Sequence, residues 1–116
     1  MAQRILIVED EALVAILVQD MLEELGFTVV GPAGTVDSAL ALLDGAPVDG
    51  AVLDCNLGHE KVWPVAELLR RRQVPFVFST GYGVNGIDAR FHEVQVLAKP
   101  YDTDSLRLAL ERMLPR

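Results

Sequence analysis

Three acidic residues in a row, Glu9-Asp10-Glu11, close the apolar run Ile5-Leu6-Ile7-Val8, and Asp54 closes a second run, Ala51-Val52-Leu53. Ser79-Thr80-Gly81 follows Phe76-Val77-Phe78, and Lys99-Pro100 follows the stretch from Val94 to Ala98. A single carboxylate at such a place is ordinarily a solvated loop residue or a helix cap. Glu9, Asp10 and Asp54 delivered to one place would repel each other, so the cluster is tolerable only if protons, a cation or a lysine offset it. Oxygen donors select a hard cation. Magnesium suits them, because it uses one or two carboxylates, keeps waters and takes its remaining ligands from phosphate oxygens. Lys99 adds a compact ammonium that can pair first with Asp54 and then with a phosphoryl oxygen. Thr80 offers a hydroxyl donor, and Gly81 lets a backbone amide approach an anion closely. The chemistry these types can do together is the transfer of a phosphoryl group to a carboxylate.

They meet only if the runs before them are neighbouring strands. Short apolar runs suited to strands buried on both faces stand at Ile5 to Val8, Thr28 to Val30, Ala51 to Leu53, Phe76 to Phe78 and Val94 to Ala98. Helical patterns lie between them. Glu11 to Leu25 is amphipathic and stops at Gly26, and Val36, Ala39, Leu40 and Leu43 repeat behind a Thr35 cap. A third helix is predicted from about Val62 to Arg72, with Pro64 in its first turn, and the last begins at Asp102 or Thr103. The stretch from Gly83 to Glu93 holds two glycines and an Asn, so the fourth helix is predicted to be short, late-starting and weak. Five β-α units imply the doubly wound α/β class, a parallel sheet with helices on both faces. Open sheets of this class bind ligands at the carboxyl ends of their strands. Those ends carry every residue named above.

The chain has 116 residues, the size of one domain, and 51% of them are apolar, which excludes disorder. A formal charge of −7 speaks against nucleic acid and anionic membrane as partners, since both bind through basic patches. No apolar run approaches the ~18 residues that cross a bilayer. No signal-peptide layout precedes Ile5, and the lone Cys55 has no partner for a disulfide or a zinc site, so a reducing, cytoplasmic setting is expected. Cys55 reads as a small buried apolar residue.

In this order and on these elements, Glu9-Asp10-Glu11, Leu53-Asp54, Thr80-Gly81 and Lys99-Pro100 resemble the response-regulator receiver family over the whole chain. The resemblance implies a flavodoxin-like five-stranded parallel sheet, strand order 2-1-3-4-5, with five helices, and one receiver domain over 1–116 without an output domain. It implies a two-component phosphorelay role, with Asp54 as phosphoacceptor and Mg2+ held by Asp10 and Asp54 directly, by the Asn56 carbonyl, and by Glu9 through water. Thr80, Gly81 and Lys99 would then coordinate the phosphoryl group, and the bond before Pro100 would be cis. The partners implied are a sensor histidine kinase or histidine phosphotransfer protein and an unknown downstream protein, with the chain a monomer or weak homodimer. Phe76 to Gly83 is similar to a receiver subgroup, mostly stand-alone proteins, with a Phe-Ala-Thr-Gly-Tyr signature on the fourth strand. One departure stands out. Most receivers place an aromatic residue three positions before the lysine, and Val96 stands there, so Thr80, Tyr82 and Val96 are the switch candidates.

Two other classes stay open from the residues alone. Asp54-Cys55-Asn56 resembles the strand-end element of an Asp-nucleophile phosphatase, though on the third strand and without a cap domain. A receiver-like scaffold that works by binding alone would not need the full set of acids, Thr80 and Lys99. His59 and His92 lack spaced ligand partners and read as solvated, Trp63 as packing the start of the third helix, and Arg70-Arg71-Arg72 as complementing that helix's dipole.

Overall fold

The central strands are apolar on both faces because both faces are covered. The computed structural model describes residues 2–115. Strands β1 (Arg4–Val8), β2 (Thr28–Ala33), β3 (Gly50–Asp54), β4 (Phe76–Thr80) and β5 (Val96–Ala98) form one parallel sheet in the order β2-β1-β3-β4-β5. Alternate residues point to opposite layers. Leu6, Val8, Ala51, Leu53, Phe76 and Phe78 pack with helices α2 (Val36–Gly45) and α3 (Trp63–Arg71). Ile5, Ile7, Val52, Val77 and Leu97 pack with α1 (Ala12–Glu24) and α4 (Thr103–Met113). Connections from β1 to β2 and from β3 to β4 thus place their helices on opposite faces, which is the doubly wound arrangement.

Local chemistry fixes the helix ends. Thr35 Oγ1 accepts from the Ser38 amide at 3.1 Å while Ser38 Oγ accepts from the Thr35 amide at 3.1 Å, a reciprocal cap on α2. Asp102 caps α4 by accepting from the Ser105 amide at 2.8 Å. Pro64 sits in the first turn of α3, where no backbone donor is needed. Helix α1 has no side-chain cap, and Gly26 at φ +92° follows its C-terminus.

Three expectations from the sequence need correction. Strand β2 runs to Ala33 rather than Val30, through an irregular register with β1 at Gly31-Pro32, whose peptide is cis. The last strand starts at Val96 rather than Val94, because the Val94 amide donates to the Phe91 carbonyl at 3.0 Å and is taken up in a turn. The described residues hold four α-helices, not five. In place of the fourth stand two single 3-10 turns, Val84–Gly86 and Ala89–Phe91. Gly83 at φ +72° and Gly86 make a longer helix costly, and Asp88 caps only the second turn, accepting from the Arg90 amide at 2.9 Å.

That connection is nevertheless anchored. Phe91 is 1% exposed, lies parallel to Trp63 at 5.9 Å and meets Phe78 edge-on at 5.7 Å. The guanidinium groups of Arg70 and Arg90 lie 4.6 and 5.3 Å from its ring centre. Arg70 also donates to the Arg90 carbonyl at 2.8 Å and pairs with Glu93, and Arg90 pairs with Glu67 of α3. The basic run at the end of α3 therefore does more than complement a dipole, for Arg72 likewise donates to the Leu43 carbonyl at 3.0 Å.

The buried ring and the exposed ion pairs differ in worth. Phe91→Ala is expected to lower stability by about 3 kcal/mol, whereas Arg90→Ala is expected to cost far less because its pair with Glu67 is half exposed. Urea unfolding of both variants checks the order. Equal losses would mean that charge, not the ring, holds the connection.

Candidate functional site

Parallel pairing brings four strand ends to one edge. Asp54 is in register with Ser79 across β3 and β4, and Thr80 with Ala98 across β4 and β5, so the residues that follow each strand emerge together. Glu9 follows β1, and its amide donates to the Ala33 carbonyl of β2 at 2.9 Å. Glu9 and Asp54 are each only 5% exposed, Asp10 is exposed, and one carboxylate oxygen from each lies within 4.8 Å of the others.

One ammonium holds the buried pair. Lys99 Nζ donates to Glu9 Oε1 at 2.7 Å and to Asp54 Oδ2 at 3.2 Å. The second oxygens are also satisfied, Glu9 Oε2 by the Glu11 amide at 3.1 Å and Asp54 Oδ1 by the Asn56 amide at 3.2 Å. Burial raises the Glu9 carboxyl above its ordinary value, with the Lys99 hydrogen bond pulling the other way and Asp54 adding to the rise. Lys99 is held above its ordinary value: burial lowers it, but the Glu9 hydrogen bond and the charges of Asp54 and Glu9 outweigh that. The lysine is itself pinned, since its amide donates to the Thr80 carbonyl at 2.9 Å; the Lys99-Pro100 peptide is cis.

Thr80 is 1% exposed, and its Oγ1 accepts from the Tyr82 amide at 3.0 Å. Gly81 is exposed, with open space where a side chain would be, and Tyr82 is 78% exposed. Val96 is half-buried against the α2–α3 layer. The three switch candidates thus occupy different settings: Thr80 inside the edge, Tyr82 outside it, Val96 in the flank. Ser79 Oγ is buried, and the Tyr101 hydroxyl is the polar group near it, though not in hydrogen-bond geometry. Cys55 is buried, and burial, with the Asp54 charge beside it, pushes its thiol up to about 12, which keeps it inert. His59 and His92 are exposed.

Sequence reasoning did not foresee the piece that frames the acid side. Asn56–Leu57 pairs antiparallel with Glu60–Lys61 in a two-rung ribbon turned by Gly58 at φ +66°. Glu60 Oε2 accepts from the Val36 amide at 3.1 Å, tying the ribbon to α2, and Lys61 Nζ donates to Asn56 Oδ1. No apolar alternation marks four such residues as strands. Lys61, one of two lysines in the chain, was the available signal.

The oxygen-only donor set of Glu9, Asp10 and Asp54 fits a hard divalent cation, with one ammonium alone offsetting three carboxylates. A doubly wound sheet with its polar groups gathered at the carboxyl edge is one of the open α/β domains that work at that edge. The model of the response regulator receiver domain matches residues 5–111, and the chain belongs to that family. It is similar to the transcriptional regulatory protein PdtaR of Mycobacterium tuberculosis, 28% identical over 98% of this chain and 58% of that protein. It is also similar to the phyllosphere-induced regulator PhyR of Methylorubrum extorquens, 31% identical over 98% of this chain and 44% of that protein. The chain thus spans about half the length of these curated relatives. The solution structure of SdrG from Sphingomonas melonis Fr1 is 47% identical with a TM-score of 0.85, covering 95% of this chain and 94% of that one. The BeF3-activated conformation of SdrG, from Pseudomonas melonis Fr1, is 48% identical with a TM-score of 0.80, over 93% of this chain and 92% of that one.

The paired charges set the pH dependence of the metal-free protein. Lys99, raised above 10.5, contributes stability that is complete below pH 10.5 and lost as pH rises through its folded value. Glu9, raised above 4.5, takes up its proton more readily when folded, so its ionisation costs stability as pH rises above 4.5. Lys99→Met is therefore expected to cost about 3 kcal/mol at pH 7 and to cost less at pH 5, where Glu9 is more readily neutralised. Urea unfolding in EDTA at the two pH values checks this, and a penalty unchanged by pH would exclude charge pairing as its source.

Proposed function

We propose that residues 1–116 act as a single receiver domain that accepts a phosphoryl group on Asp54 from a phosphohistidine, carried by a sensor histidine kinase or a histidine phosphotransfer protein in the cytoplasm. The observation that carries this reading is the Lys99 ammonium bridging Glu9 and Asp54 beside the exposed Asp10, with the Thr80 hydroxyl at the adjoining strand end. Asp10, Asp54 and the Asn56 carbonyl would hold Mg2+ directly and Glu9 would hold it through water. Bound there, the ion would offset charge on the phosphoryl oxygens.

An Asp54 carboxylate oxygen attacks phosphorus in line. The oxygen–phosphorus bond forms, the phosphorus–nitrogen bond breaks, and the imidazole leaves with the electron pair. Lys99 has one donor beyond those on Glu9 and Asp54 and turns it toward the new phosphoryl oxygens. The Thr80 hydroxyl and the Gly81 amide, which has open space around it, supply the remaining contacts. The product is an acyl phosphate, which hydrolyses unaided, so the domain resets itself without turning over a separate substrate. The BeF3-activated conformation of SdrG supports the reading, because beryllofluoride stands in for a phosphoryl group on a carboxylate.

The signal travels by conformation and protein contact to a downstream protein. Thr80 Oγ1 accepts from the Tyr82 amide, so turning that hydroxyl to the phosphoryl group draws Gly81 and Tyr82 inward with it and orders or repositions the connection behind them. Val96, a small aliphatic residue, cannot make the inward aromatic swing. Single 3-10 turns stand between Gly83 and Glu93 in place of a helix, so the part of the connection ahead of the buried Phe91 responds to a small change in contact energy.

Incubation with acetyl phosphate and Mg2+ is expected to add one phosphoryl mass to the wild type and none to Asp54→Asn. A variant that gains it as fast as wild type sinks the assignment. In hydrogen exchange, amides from Tyr82 to Phe91 are expected to exchange fastest among the structured elements of the free protein and to slow with beryllofluoride and magnesium. Protection already present in the free state, or a change confined to α4, would rule out this route.

A further inference from the structure

The eight arginines are spread through the chain, but both lysines stand at the Asp54 pocket. Lys99 lies inside it. Lys61 lies on the ribbon that starts two residues after Asp54, directly opposite Asn56 in the antiparallel register. Its Nζ donates to Asn56 Oδ1, and the Asn56 amide donates to Asp54 Oδ1 at 3.2 Å, so one residue separates the Lys61 ammonium from the carboxylate. The turn of the same ribbon lies beside Asp10, for a Cβ on Gly58 would sit 3.9 Å from Asp10 Oδ2.

The ribbon is a firm mount. Leu57 on its first arm and Val62 just after its second are 4% and 0% exposed, the Val62 amide donates to the Cys55 carbonyl at 3.2 Å, and Glu60 ties the ribbon to α2. Lys61 is exposed and, among the described residues, makes no ion pair with a carboxylate. Its charge is felt at Cys55, next to Asp54. An ammonium has three donors, and Asn56 takes one, so two face solvent at the rim.

A −7 chain with three carboxylates at this edge repels an approaching phosphoryl anion. Lys99 is engaged on both sides. We propose that Lys61 is the cation that receives the anionic phosphodonor at the mouth of the Asp54 pocket, a binding residue for the oxygens of the group being transferred. The proposal rests on Asp54 being the phosphoacceptor. With acetyl phosphate as donor, an Asp54 oxygen forms the bond to phosphorus, the bond from phosphorus to the acetyl oxygen breaks, and acetate leaves with the electron pair. Lys61 makes and breaks no covalent bond. It raises the local concentration of the dianion and orients it, an effect that salt screens.

The test is the rate of phosphoryl mass gain from acetyl phosphate at saturating Mg2+, at low and at high ionic strength, for wild type, Lys61→Met, Lys61→Glu and Lys61→Arg. At low salt the Met variant is expected to be slower by about threefold and the Glu variant by about tenfold, with Arg close to wild type and the differences shrinking at high salt. Thermal unfolding should be the same for all four, since the side chain is exposed. A purely structural role would not move the salt dependence. Rates equal to wild type, or a deficit indifferent to salt, overturn the proposal while Asp54 stands. No phosphoryl gain by the wild type overturns both.

Discussion

Two carboxylates sunk to 5% exposure, Glu9 and Asp54, share a single ammonium, and much of the molecule can be read as the means of keeping those three groups in place. Burying a carboxylate without a partner is costly, and burying two side by side is more so. Lys99 offsets that cost from a backbone fixed to β4 through Thr80, with its ammonium on both carboxylates. The arrangement is complete in hydrogen bonds yet short of positive charge. One ammonium against three carboxylates leaves an edge that favours a further cation and, with it, an anion.

The same economy explains why the site sits at the carboxyl edge. Parallel strands in register deliver their following residues to one side, while the helices that cover the faces begin there and expose their own ends. The apolar layers do not touch the chemistry, but they fix the register, and a slip of one residue would turn Asp54 from the edge into a layer. On the α2–α3 side the rings of Trp63, Phe78 and Phe91 form one cluster. Trp63 opens the helix that follows the Asp54 ribbon, Phe78 lies on the strand that ends in Thr80, and Phe91 holds the connection after it. Both ends of the site therefore abut the least regular part of the fold.

The strand ends were legible in the sequence because runs buried on both faces are continuous and the polar residue that ends each one is abrupt. Glu9, Asp10, Asp54, Thr80 and Lys99 emerge at one edge for that reason. The fourth helix was misread in kind, though its weakness was visible: two glycines and an Asn signalled poor helix, but only the packing of Phe91 and the Asp88 cap decided that single turns would replace it. The ribbon from Asn56 to Lys61 left no periodic trace, being too short to have one.

The sequence by itself determined the layer order of the fold and the chemical types at its edge, because hydrophobic period and residue type are local properties that survive without coordinates. Tertiary structure alone decided the pairings: which carboxylates Lys99 spans, that Thr80 holds the Tyr82 amide, and that Lys61 reaches Asn56 across a turn. Those depend on distances between residues up to ninety positions apart, and such distances are set by packing, not by any pattern along the chain.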